Sequence, residues 1–115
     1  MLGRLGEGLA LAHYERLGFR LLERNYRARS GEIDLIVCDR RAIVFAEVKT
    51  RRAGGLDPLV SITAVKRSRM RRTAAEWIAG HPGRPRTDQL RIDAIAIVVD
   101  DRGRMISLEQ FEDVA

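Results

Sequence analysis

The sequence predicts an α/β fold in which a central mixed β-sheet is flanked by helices, in the order αβββαββ. Three observations predict it. Apolar residues recur at near-helical spacing over the first seventeen residues; five short runs rich in aliphatic and aromatic residues are bounded by turn formers; and a helix-length stretch falls between the third and fourth of these runs.

The elements follow in order. Leu2, Leu5, Leu9, Ala12 and Leu17 mark a helix over residues 2–17, with Glu7 in its middle and Gly18 as its stop. "FRLLERNYR" reads as a first strand, "EIDLIVCD" as a second and "AIVFAEVKT" as a third. "SITAVKRSRMRRTAAEWIAG" is the second helix, with Ser61 or Thr63 as N-cap and Gly80 as its stop. "LRIDAIAIVVD" and the short "RMISL" complete the set as strands four and five. The turn-rich segments "RAGGLDP" and "HPGRPRTD" connect the second helix to its neighbouring strands.

Length and composition bound the function. A chain of 115 residues suits one domain over residues 1–115, and 45% hydrophobic with 32% charged residues is globular composition. The net charge of +5 and a pI near 10.3 imply attraction to polyanions, nucleic acid foremost. Cys38 is the only cysteine, so an intrachain disulfide and a cysteine-held zinc are excluded and a reducing compartment is favoured. The amino-terminal residues lack the pattern of a secretory signal, and no apolar run approaches membrane-spanning length. The expectation is a soluble cytoplasmic protein without a membrane partner.

The stretch "GEIDLIVCDRRAIVFAEVKTRR" carries the chemistry. Alternate residues of a strand share a face, so Glu32 lies with Asp34 and Glu47 with Lys49. A hairpin centred between Arg40 and Arg41, with an even loop, sets Asp34 opposite Glu47 and Glu32 opposite Lys49. Arg-Arg is poor chemistry for a tight two-residue turn, so the expected loop is the four residues Asp39 to Ala42; a three-residue loop breaks the alignment. Like charges opposed across a sheet destabilise the pairing. A hard divalent cation removes that cost, and Lys49 points at the same space, where its ammonium holds an attacking water and offsets charge on a phosphoryl group, or its neutral amine deprotonates that water. Against this stands a purely structural account, a cross-strand ion pair and a solvated clash on a wet face. The apolar residues Ile36, Ile43 and Phe45 on the same side favour a cleft instead.

"GEIDLI" followed by "FAEVKTR" resembles the D…ExK core of the PD-(D/E)xK nuclease superfamily. More widely, "GRLGEGLALAHYERLGFRLLERNYR", "GEIDLIV", "IVFAEVKTRR" and "RIDAIAIV" together resemble the YraN-like family of small uncharacterised proteins, which is similar to Holliday-junction resolvases. The resemblance covers nearly the whole chain and implies a restriction-endonuclease-like core. It implies metal ligation by Asp34 and Glu47, the Val48 carbonyl as a third ligand, a catalytic role for Lys49, and Glu7 of "GEGLA" as an additional acid from the first helix. Two departures are mild: Ala46 stands where the family usually has valine, and "SITAVKRSR" lacks the proline commonly found before the helix lysine.

Other residues carry paired explanations. Glu32 is read as the partner that holds Lys49, in preference to a ligand. Lys66 falls on the helix side bearing Met70, Thr73, Ala74 and Trp77, where it snorkels or reaches a phosphate, while Arg69, Arg71 and Arg72 fall elsewhere. Arg67, Arg69, Arg71 and Arg72, with Arg51 and Arg52, form either a solvated face or a surface that neutralises a nucleic-acid backbone. Trp77 is read as core, His13 and His81 as surface or loop residues, and Cys38 as a buried thiol. Asp93 either supports the site or caps the fourth strand. The expected function is metal-dependent phosphodiester hydrolysis on DNA, with Mg²⁺ or Mn²⁺, and a homodimer would suit symmetric cutting of two strands. The alternatives are a nucleic-acid-binding module with a vestigial nuclease site and a protein-interaction adaptor with a basic surface.

Overall fold

The structure, a computed structural model, describes residues 2–54 and 64–114. Its elements are α1 (Leu2–Arg16), β1 (Arg20–Ala28), β2 (Gly31–Cys38), β3 (Ala42–Arg52), α2 (Ala64–Gly80), β4 (Gln89–Val99) and β5 (Met105–Phe111), which is the predicted αβββαββ order. The fifth strand is longer than "RMISL", because Glu109, Gln110 and Phe111 continue its pairing with β4. The N-cap expected at Ser61 or Thr63, and the connecting loop from residue 55 onward, lie outside the described residues.

The five strands form one mixed sheet in the order β1-β2-β3-β4-β5. All neighbours are antiparallel except β3 and β4, whose parallel pairing requires the long crossover that α2 supplies. Strand β3 is the centre and is covered on both faces, so its run from Ala42 to Ala46 is continuously apolar and buried. Two cores result. On one face α1 contributes Ala10 and Tyr14, which pack with Leu35, Val37, Val44, Ala46, Ile95 and Ile97. On the other, Met70, Ala74 and Trp77 of α2 pack with Ile33, Ile36, Ile43, Phe45 and Ile92. Each fully buried aliphatic or aromatic side chain contributes roughly 1.5–3 kcal/mol. Trp77, 3% exposed, and the thiol of Cys38 are core, as the sequence indicates.

Local chemistry fixes the elements that matter for the cleft. Helix α1 stops in a Schellman arrangement: the N–H of Phe19 donates to Tyr14 O and that of Gly18 to Glu15 O, both at 3.0 Å, with Gly18 at φ 95°. The Arg40–Arg41 turn is tolerated because Asp39 Oδ1 accepts the N–H groups of Arg41 and Ala42, each at 2.8 Å. Gly6 allows α1 to lie against Thr50 at the end of β3, where any Cβ would collide with the threonine side chain. Among the described residues no helix is long and apolar enough to cross a membrane.

Candidate functional site

The predicted hairpin register is the observed one: Cys38 pairs with Ile43, Val37 with Val44, Ile36 with Phe45 and Leu35 with Ala46. Regular pairing of β2 with β3 stops there, one step short of Asp34 and Glu47. The β1–β2 ladder also skips Asp34, passing from Arg24–Leu35 to Tyr26–Ile33 across Asn25, whose φ is 52°. Strict alternation would put Ile33 and Ile36 on opposite faces, yet both join the α2-side core, so the strand is out of phase at Asp34. Freed from both ladders, the Asp34 carboxylate turns to the backbone of β3, and its Oδ2 accepts the N–H of Val48 at 2.7 Å.

A cleft of about 290 Å³ opens between this end of the sheet and α2. Strand β2 supplies Glu32 and Asp34, β3 supplies Glu47 and Lys49, and α2 supplies Lys66 and Arg69, with Met70 and Thr73 behind them. Six of the residues singled out in the sequence therefore meet in one place. Glu47 is buried, 7% exposed, and its Oε1 takes two ammonium groups: Lys49 Nζ at 3.1 Å and Lys66 Nζ at 3.0 Å.

The electrostatics follow from crowding. Burial and the charge of Glu47, with smaller contributions from Glu7 and Glu32, push the Asp34 carboxyl up to about 7, although the Val48 N–H favours its ionised form. Burial pulls the Lys49 ammonium down, but the charge of Glu47, which it contacts, and that of Asp34 outweigh this, so its pKa is raised. The Lys66 ammonium is lowered, by burial first and by the neighbouring Lys49.

A divalent cation fits this donor set: the carboxylates of Asp34 and Glu47 line one cleft, and a cation there would offset both the burial and the Glu47 charge that hold Asp34 toward its protonated form. The donors are hard oxygens, which suit Mg²⁺ or Mn²⁺ rather than a thiophilic metal. Among the described residues no three His, Cys, Asp or Glu side chains are gathered to hold a metal. Glu7 is near enough for its charge to reach Asp34, but it stands on α1, which packs on the face of the sheet away from the cleft.

Several expectations need correction. Glu32 does not hold Lys49: the β2–β3 ladder ends before reaching them, and Glu32 instead pairs with Arg27, its partner in the β1–β2 register, at 3.4 Å. Lys66 neither snorkels nor points to open solvent, since it contacts Glu47. Arg69 joins Lys66 at the cleft, its aliphatic stem beside Gly31, where an added Cβ would meet Arg69 Cγ and Cδ at 3.2 Å. The helical projection missed this because a long side chain covers more than its own sector. Arg71 and Arg72 are exposed and Arg67 is half-buried. At the end of β3 the guanidinium of Arg51 donates to Arg52 O and that of Arg52 to Asp100 O.

Asp93, which the sequence left between two roles, belongs to neither the cleft nor a cap. It has no exposed surface and accepts from Tyr14 Oη (2.9 Å), Arg91 Nε (2.9 Å), Arg91 Nη2 (3.0 Å), Gln110 Nε2 (3.0 Å) and the N–H of Asp113 (3.0 Å). This ties α1, β4, β5 and the C-terminal turn together. The Tyr14 hydroxyl is consequently pushed well above its usual range, by burial and by the Asp93 charge. His13 bonds Gln110 Oε1 at 2.8 Å, and His81 stacks on Trp77 with ring centroids 4.3 Å apart. Neither histidine lines the cleft.

Comparison with known proteins matches residues 6–97 to a family model described as "Uncharacterised protein family UPF0102". A UPF0102 protein of Streptomyces griseus is 42% identical over 107 residues, covering 92% of this chain and 89% of its own length. One of Corynebacterium efficiens is 42% identical over 114 residues (98% and 90%), and one of Mycobacterium avium 44% identical over 104 residues (88% and 80%).

Proposed function

The chain belongs to the uncharacterised protein family UPF0102, and from the cleft between its sheet and α2 we propose that it hydrolyses phosphodiester bonds in DNA with Mg²⁺ or Mn²⁺. The observation that carries this reading is the convergence of Asp34, Glu47 and Lys49 in one cleft, where burial and the Glu47 charge raise Asp34 to about 7. Asp34, aimed by the Val48 N–H, and Glu47 would hold the cation. Two protein carboxylates leave the remaining coordination to water and phosphate oxygens, the usual arrangement for Mg²⁺. When bound, the ion supplies Lewis-acid stabilisation of charge on the phosphoryl group.

Lys49 keeps its proton at neutral pH because its pKa is raised. It therefore acts as a donor that orients the attacking water and offsets developing charge, rather than as the base. Arg69 at the cleft and the exposed Arg71 and Arg72 on α2 supply sequence-independent phosphate contacts. The resolvase-like resemblance of the D…ExK residues supports the same assignment.

A second reading, a non-catalytic nucleic-acid-binding module, is favoured by one fact: Glu47 already has two lysine partners, as a purely structural ion cluster would. Labelled linear, flapped and four-way DNA incubated with Mg²⁺ or Mn²⁺, with a chelator control and Glu47→Gln in parallel, separates the two. Metal-dependent cleavage of at least one substrate, lost in Glu47→Gln, is expected. Binding of all three substrates without cleavage would establish the module and contradict the nuclease.

A further inference from the structure

Of the 21 lysines and arginines in the chain, only Lys49 and Lys66 are lysines. They come from different elements, β3 and α2, yet both ammonium groups contact the same atom, Glu47 Oε1, at 3.1 and 3.0 Å. A sequence that uses arginine for every other cation, and lysine only on the two sides of one buried carboxylate oxygen, requires there a property arginine lacks. A guanidinium grips a carboxylate through two parallel N–H bonds in a rigid fork, whereas an ammonium makes a single-point contact from a flexible stem. The difference is ease of release.

We propose that Lys66 is an exchangeable counter-ion and positioning residue: it holds Glu47 Oε1 in the metal-free protein, yields that oxygen to a divalent cation, and then turns its ammonium to the phosphodiester in the cleft. Lys49 sits two residues along the same strand face from Glu47, so its charge stays at the floor of the cleft when Glu47 is taken. Lys66 stands on the helical wall beside Arg69, on the side from which a phosphate backbone would be gripped.

Charge balance gives Lys66 a purpose beyond holding Glu47. With every group ionised, Asp34, Glu47, Lys49 and Lys66 sum to zero, so a divalent cation makes the cleft doubly positive. A phosphodiester brings one negative charge, and the attacking water, its proton released to bulk solvent as its bond to phosphorus forms and the bond to the leaving oxygen breaks, adds a second only as the transition state forms. The cleft is thus neutralised in the transition state and not before, and Lys66 supplies the unit that makes the difference. The identity of the phosphodiester rests on the proposed function; the counter-ion exchange does not.

The test uses the full chain with Lys66→Met and Lys66→Arg, measuring Mn²⁺ affinity by calorimetry without DNA, then single-turnover cleavage of the DNA substrates above. Lys66→Met frees Glu47 and should bind Mn²⁺ more tightly, by roughly tenfold for the loss of one competing ion pair. Lys66→Arg locks Glu47 and should bind it more weakly by a similar factor, and since it keeps the charge that compensates Glu47 it decides the matter if Lys66→Met fails to fold. Both variants should lose kcat with KM for DNA changed little, an asymmetry that a merely structural lysine would not produce. Metal affinities that stay at the parent value, or move in the same direction, overturn the exchange; if the parent then still cleaves DNA, the nuclease reading survives alone. Opposite shifts in a parent that cleaves nothing leave the exchange standing and remove the nuclease. A parent that binds no Mn²⁺ overturns both.

Discussion

Asp34 accepts the backbone N–H of Val48 at 2.7 Å, a contact made possible because Asp34 is paired in neither ladder of β2. The carboxylate is thereby fixed beside Glu47 in a position where its own ionisation is disfavoured. Mg²⁺ or Mn²⁺ should therefore raise the melting temperature of the metal-free protein by mass action on the folded state. Asp34→Asn should melt higher than the parent without metal at pH 8, since it removes the repelled charge while keeping an acceptor for Val48, and should show no gain with metal. A parent whose melting curve is unchanged at saturating metal contradicts the site.

The same carboxyl sets a pH dependence. Raised from 3.8 to about 7, it keeps in the folded state a proton that the unfolded chain releases, so its contribution to stability falls as pH rises through that window and is constant above it. Subtracting the stability profile of Asp34→Asn from that of the parent isolates the group from other carboxylates. The difference should decline between about pH 4 and 7 without metal, and apparent Mn²⁺ affinity should climb over the same range and level off beyond it. A flat difference profile would show that Asp34 titrates normally.

Asp93 should behave as a structural hub. Its zero exposure and five accepted hydrogen bonds make Asp93→Ala costly, about 3–5 kcal/mol for leaving the Arg91 charge and its neighbours uncompensated. Denaturant unfolding should register that loss, while Mn²⁺ affinity of the remaining folded protein should match the parent. Metal affinity that collapses in a variant still fully folded would move Asp93 into the site.

Much of this was legible in the sequence and some was not, for physical reasons. Short apolar runs and near-helical spacing gave the element order, because the central strands are buried on both faces and each helix packs one side on the sheet. The hairpin register followed from loop parity, and Asp39 made that loop workable by capping the Arg40–Arg41 turn with its own side chain. Asp34 and Glu47 were identified as neighbours, but the mode of contact was not, since the unpaired step at Asn25 and Asp34 breaks the alternation on which the pairing argument depends. Glu32 with Lys49 failed for the same reason. The pairing of Lys66 with Glu47 and the arrival of Arg69 at the cleft depend on how α2 packs over β2, a tertiary fact with no local signal. Asp93 was undecidable because three of its five bonds come from residues outside "RID", Tyr14, Gln110 and Asp113, and only Arg91 lies beside it.

The basic helix should divide by position. Arg71→Glu with Arg72→Glu, both exposed, should weaken DNA binding for all sequences and flatten its salt dependence, leaving cleavage of bound DNA near the parent rate. Arg69→Glu should impair both, because its side chain lines the cleft. Filter-binding titrations across a salt series, followed by single-turnover cleavage at saturating protein, measure the two separately. Unchanged affinity and slope in all three substitutions would make this face merely solvated.

The division of labour between Glu47 and Lys49 tests the central claim most directly, since the two residues share one strand face and one ion pair yet are assigned different tasks. Calorimetric metal binding and single-turnover DNA cleavage are to be measured on the parent and on Lys49→Ala under identical conditions. The account predicts that Lys49→Ala binds Mg²⁺ or Mn²⁺ at least as tightly as the parent while cleavage falls by about two orders of magnitude or more, the scale of losing one aimed donor at a developing charge. Cleavage by Lys49→Ala at the parent rate on every substrate the parent cuts would contradict it.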